Sequence, residues 1–259
     1  MPSDRSRDAR HRPAPGPPRA EPKLQTTTLW HHPTQQYGEE RFGNPAFQGA
    51  TPAYVIWNLL QRYTRPGDLV VDPFCGGGTT LDVARSVDRR ALGYDLAPTR
   101  PDIFRADARK LPLEASKADF VFMDPPYSTH LEYSGDEQCI GELDAFEGEY
   151  FEAMDRVFAE VDRVLRDRRF LAVYCSDSFK KKRGFVGIGA RLFAQLSTRF
   201  RPVDHVAVVR GNRKLEKPNF HKAAAEENFF LRGFNHLLIF KKERASGPRD
   251  AGQPARRER

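Results

Sequence analysis

The chain is poor in cysteine and in long apolar runs, and each shortage excludes a class of protein. Its three cysteines, Cys75, Cys139 and Cys175, lie far apart, which gives neither a disulfide framework nor a C-x-x-C metal pair and predicts a reducing, intracellular setting. His31 and His32 are neighbours with no further ligand at metal-site spacing, so no metal is expected. No apolar run reaches the roughly 18 residues of a membrane span. The Pro- and Arg-rich start has no apolar core of a signal peptide, and a cytoplasmic location is expected.

At 259 residues the chain is long enough for one sizeable domain. Its formal charge of +7 belongs to the ends, because residues 1–23 and 241–259 are both rich in Arg and Lys, whereas residues 24–240 balance. Residues 1–25 and 244–259 lack periodicity and read as disordered basic tails around a single domain over 26–243. Inside that domain the charge is segregated: residues 129–163 are strongly acidic and residues 176–222 strongly basic. A localised anionic partner fits this pattern. So do two solvated faces that pair with each other.

The most informative stretch is Gly-Asp-Leu-Val-Val-Asp-Pro-Phe-Cys-Gly-Gly-Gly-Thr-Thr, residues 67–80. Leu69 to Val71 read as a buried strand closed by Asp72, and Thr79 opens the periodic run Leu81, Val83, Ala84, Val87. Strand, glycine turn and helix make the first half of a βαβ unit, with a ligand crevice at the strand's carboxyl end. A nucleoside triphosphate site needs a lysine after Gly78, and a dinucleotide site needs a third glycine where Leu81 stands. S-adenosylmethionine is the remaining candidate, with its carboxylate near the helix start and its ammonium facing Asp72. A turn that only packs a helix on a sheet is the bland alternative.

Upstream, Thr51-Pro52 reads as a helix start with Thr as cap, and the helix ends before Pro66. Downstream, residues 91–95 read as the second strand, and Asp95 falls where nucleotide sites hydrogen-bond ribose hydroxyls. Asp107 follows a short third strand at Ile103-Phe104 and suits an adenine amino group. Phe120 to Met123 read as strand four, which the chain leaves as Asp124-Pro125-Pro126-Tyr127. The prolines stiffen this turn and donate no N–H, so Asp124 and the Pro125 carbonyl offer two acceptors beside the flat face of Tyr127. That set suits a planar group bearing NH₂, held with its lone pair towards an incoming methyl.

These motifs resemble those of the S-adenosylmethionine-dependent amino-methyltransferases of DNA, which make N4-methylcytosine or N6-methyladenine. The resemblance covers about residues 28–242 and is strongest over 47–127. It implies an α/β, Rossmann-like fold with seven strands, mostly parallel with an antiparallel last one, and helices on both faces. It implies cofactor contacts from Phe47, Gln48, Thr51, Asp72, Pro73, Phe74, Cys75, Gly76, Gly78, Thr79, Thr80, Asp95, Leu96, Asp107 and Ala108. It places catalysis on Asp124, Pro125, Pro126 and Tyr127, on a base flipped out of double-stranded DNA. A cognate restriction endonuclease and a nucleoid-associated monomer or homodimer belong to the same expectation. Many cytosine-specific members carry Ser at the position of Asp124, and Asp occurs in both branches, so the target base stays open. An RNA methyltransferase acting on guanine N2 or adenine N6, or a catalytically silent nucleic-acid binder, are the alternatives.

Further on, apolar residues from Leu143 to Leu165 recur at helical spacing, and residues 170–174, 203–209 and 234–240 read as strands. Phe185 to Leu196 reads as a helix. The expected nucleic-acid surface combines Lys180, Lys181, Lys182 and Arg183 with the long loop 210–233, which carries Arg210, Asn212, Arg213, Lys214, Lys217 and His221.

Overall fold

The computed structural model describes residues 21–31, 36–47, 49–126, 139–209 and 213–244. Most of both expected tails lies outside that set. Residues 21–25 are inside it, and the Gln25 N–H donates to Asn58 Oδ1 at 2.8 Å.

One mixed sheet organises the chain. Its strands are β1 (Leu29–Trp30), β2 (Leu69–Asp72), β3 (Arg90–Asp95), β4 (Ile103–Arg105), β5 (Ala118–Met123), β6 (Leu165–Cys175), β9 (Arg201–Val209) and β10 (Phe234–Lys241). A separate hairpin pairs β7 (Ser178–Lys180) with β8 (Gly184–Val186). The spatial order is β1-β9-β10-β6-β5-β2-β3-β4, and β10 runs antiparallel to both neighbours. The seven expected strands are present. An eighth, β1, comes from the Trp30 segment, where two residues pair in parallel with Ala207 and Val208.

Period-two alternation decides what covers each face. On one side Val71, Val121, Met123, Leu171, Val173, Leu238 and Phe240 meet α3 (Glu149–Val164) and α4 (Ile188–Ser197). On the other, Val70, Phe120, Phe122, Ala172, Leu237 and Ile239 meet α1 (Ala53–Tyr63) and α2 (Thr79–Ser86). All six residues of β5 are buried, as a central parallel strand covered on both faces requires.

The chain runs from β2 outward through β3 and β4, then returns to build β5 and β6 on the opposite side of β2. The reversal lies between β2 and β5, paired in the register Val70↔Phe120 and Val71↔Val121. Open α/β sheets bind ligands at such a point, beyond the carboxyl ends of the strands. Both candidate turns, after Asp72 and after Met123, leave the sheet there.

Three local readings are corrected. The helix expected from Phe185 begins at Ile188, because Gly184–Val186 pairs with Ser178–Lys180 as β8. The loop 210–233 contains a 3₁₀ turn, Arg213–Glu216, and a helix, α5 (Pro218–Glu226), which buries no residue. Thr51 does not cap α1: Pro52 holds that position, and the Thr51 hydroxyl is engaged elsewhere.

Candidate active site

The glycine turn is built by hydrogen bonds from its two strand-end carboxylates. Asp72 is 3 % exposed; its Oδ1 accepts the Phe74 N–H at 2.9 Å and its Oδ2 the Thr80 hydroxyl at 2.5 Å. Asp95 accepts the Gly76 N–H at 2.8 Å and the Ala97 N–H at 2.9 Å. Gly76 and Gly78 have φ of +48° and +82°, a region that side chains other than glycine rarely adopt. Packing adds a second reason for them. A Cβ on Gly76 would meet the Phe47 ring at 2.6 Å, and one on Gly78 would meet the Arg100 guanidinium at 2.6 Å. Arg100 is itself held by Asp82 and Asp102.

Burial of Asp72 pushes its carboxyl up to about 7, against the lowering effect of the Thr80 and Phe74 hydrogen bonds. A buried carboxylate of this kind is complemented by a cation. Burial also pushes the Cys75 thiol well up, so Cys75 is a packing residue here. Asp107 is gripped by the Arg109 guanidinium, with contacts of 2.7–3.0 Å. Burial would raise its carboxyl, and the Arg109 side-chain and backbone bonds outweigh that, leaving it below the usual range.

The second turn stands beside the first. The Thr51 hydroxyl donates to Asp124 Oδ2, which ties the entry of α1 to the end of β5 across 73 positions of sequence. A cavity of about 900 Å³ opens onto both turns. Its wall includes Phe47, Thr51, Asp72, Pro73, Phe74, Cys75, Gly76, Thr79, Thr80, Asp95, Leu96, Asp107 and Ala108, together with Asp124, Pro125 and Pro126. Gly78 does not line it and serves as the cap of α2. Gln48 and Tyr127 lie outside the described residues.

Sequence reasoning missed a third wall. Ser176 and Asp177 follow β6, the strand next to β5, and would have been found by asking what each neighbouring strand presents at the same edge. Asp177 Oδ1 accepts the Gly189 N–H at 2.9 Å, and Oδ2 lies 3.0 Å from His236 Nε2. His236 Nδ1 in turn lies 2.8 Å from His205 Nε2. Burial works to raise the Asp177 carboxyl, but the His236 and Gly189 hydrogen bonds and the nearby His236 and Arg232 charges together outweigh it, and the group sits below its ordinary value. Phe179, Leu215, Phe220, Phe229, Phe230 and Arg232 complete the wall. The adjacent Phe229-Phe230, in the long loop 210–233, was their only sequence signal.

Of the expected nucleic-acid residues, Lys180, Lys181, Lys182, Arg183, Lys217 and His221 are described and do not line the cavity. Lys180 and Arg183 pair with Asp144, Arg183 also with Glu147 at 3.2 Å, and Lys181 with Glu227 at 2.8 Å. Lys182 makes no ion pair among the described residues. Lys217 precedes α5, and His221 Nε2 lies 2.5 Å from the Leu215 carbonyl. Arg213 and Lys214 fall in the 3₁₀ turn, and Arg210 and Asn212 lie outside the described residues. No group of three or more metal-ligating side chains occurs among the described residues. No described helix is long and apolar enough to cross a membrane.

A sheet of this order, with an antiparallel strand beside β6 and the cavity at its reversal point, defines a Rossmann-like methyltransferase fold. TrmN from Thermus thermophilus shares it, with a TM-score of 0.50 at 18 % identity over 75 % of this chain and 50 % of that one. A profile of the N6/N4-methyltransferase family described as DNA methylase matches residues 3–105 and 118–253, and the chain belongs to that family. It is similar to the Type II methyltransferase M.Cfr9I of Citrobacter freundii, 33 % identical over 76 residues, or 29 % of this chain and 23 % of that protein. It is also similar to the Type II methyltransferase M.MjaII of Methanocaldococcus jannaschii, 26 % identical over 101 residues, 38 % of this chain and 18 % of that one. The matched stretches therefore span less than a quarter of either relative.

Proposed function

We propose that the protein transfers a methyl group from S-adenosylmethionine to the exocyclic amino group of cytosine or adenine in DNA. The carrying observation is the shared cavity: the Asp72 turn and the Asp124 turn open onto one space, where the Thr51 hydroxyl at the entry of α1 holds Asp124.

The residues fit the cofactor. Asp72 is a buried carboxylate in the cavity wall that an ammonium would complement, Asp95 faces the space a ribose would fill, and Asp107 stands beyond it for the adenine amine. S-adenosylmethionine, when bound, supplies an electrophilic methyl group. The chain's own residues hold the acceptor. Asp124 and the Pro125 carbonyl accept hydrogen bonds from the target N–H groups, and the Thr51 hydroxyl fixes the Asp124 carboxylate in place. The amine lone pair is thereby aimed rather than left conjugated in the base plane, and positioning supplies the acceleration. One amine proton must leave as the N–C bond forms, and Asp124 is the carboxylate placed to take it. A base inside a duplex cannot reach this cavity, so the target is flipped out.

The test is to offer methyl-labelled S-adenosylmethionine with unmethylated duplex DNA and, separately, with bulk RNA, then digest and identify the labelled nucleoside by mass. Label in N4-methylcytosine or N6-methyladenine from DNA is expected. Label confined to RNA would overturn the choice of substrate.

A further inference from the structure

The cavity has one wall that methyl transfer itself does not use. It is formed by the hairpin β7–β8 and by the segment between α5 and β10. Phe179 and Phe229 stack there with ring centroids 5.1 Å apart and planes 13° from parallel. Their neighbour Phe230 also lines the cavity, yet it is 83 % exposed, the most exposed of the described large apolar side chains. A phenylalanine at the mouth of a pocket gains nothing for the fold by facing water.

Its placement is nonetheless held. The Arg232 guanidinium donates to the Phe230 carbonyl at 2.6 Å and lies over the Phe185 ring at 5.2 Å. Arg232 Nε is buried in the same wall and has no hydrogen-bond partner among the described residues. The rim of the cavity therefore presents an exposed aromatic ring, braced from behind by a cation with a donor to spare.

From this geometry we infer that Phe230 is the wedge that enters the base stack when the target nucleotide leaves it. Arg232 braces the wedge through its bond to the Phe230 carbonyl. The inference rests on the reading of the protein as a base-flipping DNA methyltransferase. A flipped base leaves a gap one base deep in the duplex, and an apolar side chain at the lip of the receiving pocket fills it. Phe230 is the ring at that lip. Phe185, with the Arg232 guanidinium over one face, and Phe234, edge-on against His236 at 5.1 Å, do not line the cavity.

The test compares wild type and Phe230→Ala on two duplexes that contain the enzyme's target site, mapped beforehand by sequencing methylated DNA. In one duplex the target base is normally paired; in the other it faces an abasic position and is already loosened. Phe230 contributes almost no buried surface, so its replacement leaves the fold intact. The expected result is a loss of about tenfold or more in kcat/KM on the paired duplex. Activity on the loosened duplex and cofactor affinity should stay close to wild type, and Phe230→Leu should recover part of the loss. Equal rates for Phe230→Ala and wild type on the paired duplex would overturn the wedge, as would an equal loss on both duplexes. A wild-type enzyme that labels neither DNA would instead remove the underlying reading, and the wedge with it.

Discussion

Asp72 carries the clearest cost at the residue scale. Its carboxyl is shifted from an ordinary value of 3.8 to about 7 because it is buried. A carboxyl raised in the folded state adds its stability below pH 4 and loses it as pH rises towards 7, by up to about 4 kcal/mol. Asp72→Asn is therefore expected to raise the melting temperature of the ligand-free protein at pH 8 and to change it little at pH 4. The same ionisation serves the ligand. An ammonium seated against Asp72 favours the charged form, so cofactor affinity should rise between pH 6 and 8 with proton release near 7, and calorimetry in buffers of different ionisation enthalpy reads both. Affinity that stays flat over that range would contradict the assignment. Thr51 is the second telling residue. Its sequence position suggested a helix cap, a local role, whereas its hydroxyl serves Asp124, 73 residues away. Thr51→Val is expected to lower kcat by about tenfold, read in steady-state methyl transfer at saturating cofactor. No local pattern announces such a contact, since only the folded sheet brings β5 beside the start of α1.

At the scale of elements, strands with period-two alternation and the strand–turn–helix unit around residues 67–87 were legible because short-range patterns determine them. The hairpin β7–β8 was not. Its residues 178–186 are too few and too polar to show alternation, and Phe185 mimicked the first apolar position of the helix that follows. Helix α5 buries nothing, so it leaves no apolar stripe to read. The start of α4 offers a direct check on the new wall of the site. A Cβ on Gly189 would meet His236 at 2.5 Å, whereas one on Gly187 would find its nearest neighbour at 3.4 Å. Gly189→Ala should cost about 1–3 kcal/mol by displacing His236 from Asp177, and Gly187→Ala almost nothing, as read by denaturant unfolding. Equal costs would mean that the His236–Gly189 contact does not hold this corner.

For the whole molecule, the segregation of charge left two readings open, and the geometry favours neither alone. Lys180, Lys181 and Arg183 meet acidic partners, as paired faces would, while Lys182 has no ion pair among the described residues. If this side meets DNA, Lys182→Ala should reduce the slope of log affinity against log salt by about 0.9, one phosphate contact, and Lys181→Ala by less. An unchanged slope in both would remove the hairpin from the interface. The larger claim concerns the sheet. Its strand order sets two turns, 52 positions apart from Asp72 to Asp124, on one cavity, and on the proposed reading cofactor binding and amine binding are separable functions of these adjacent strand ends. The most direct measurement is methyl transfer to duplex DNA by Asp124→Ala alongside its cofactor affinity. Transfer should fall by at least about 10³-fold with cofactor affinity within a few-fold of wild type. Turnover near wild type, or loss of cofactor binding in step with activity, would contradict that division of labour.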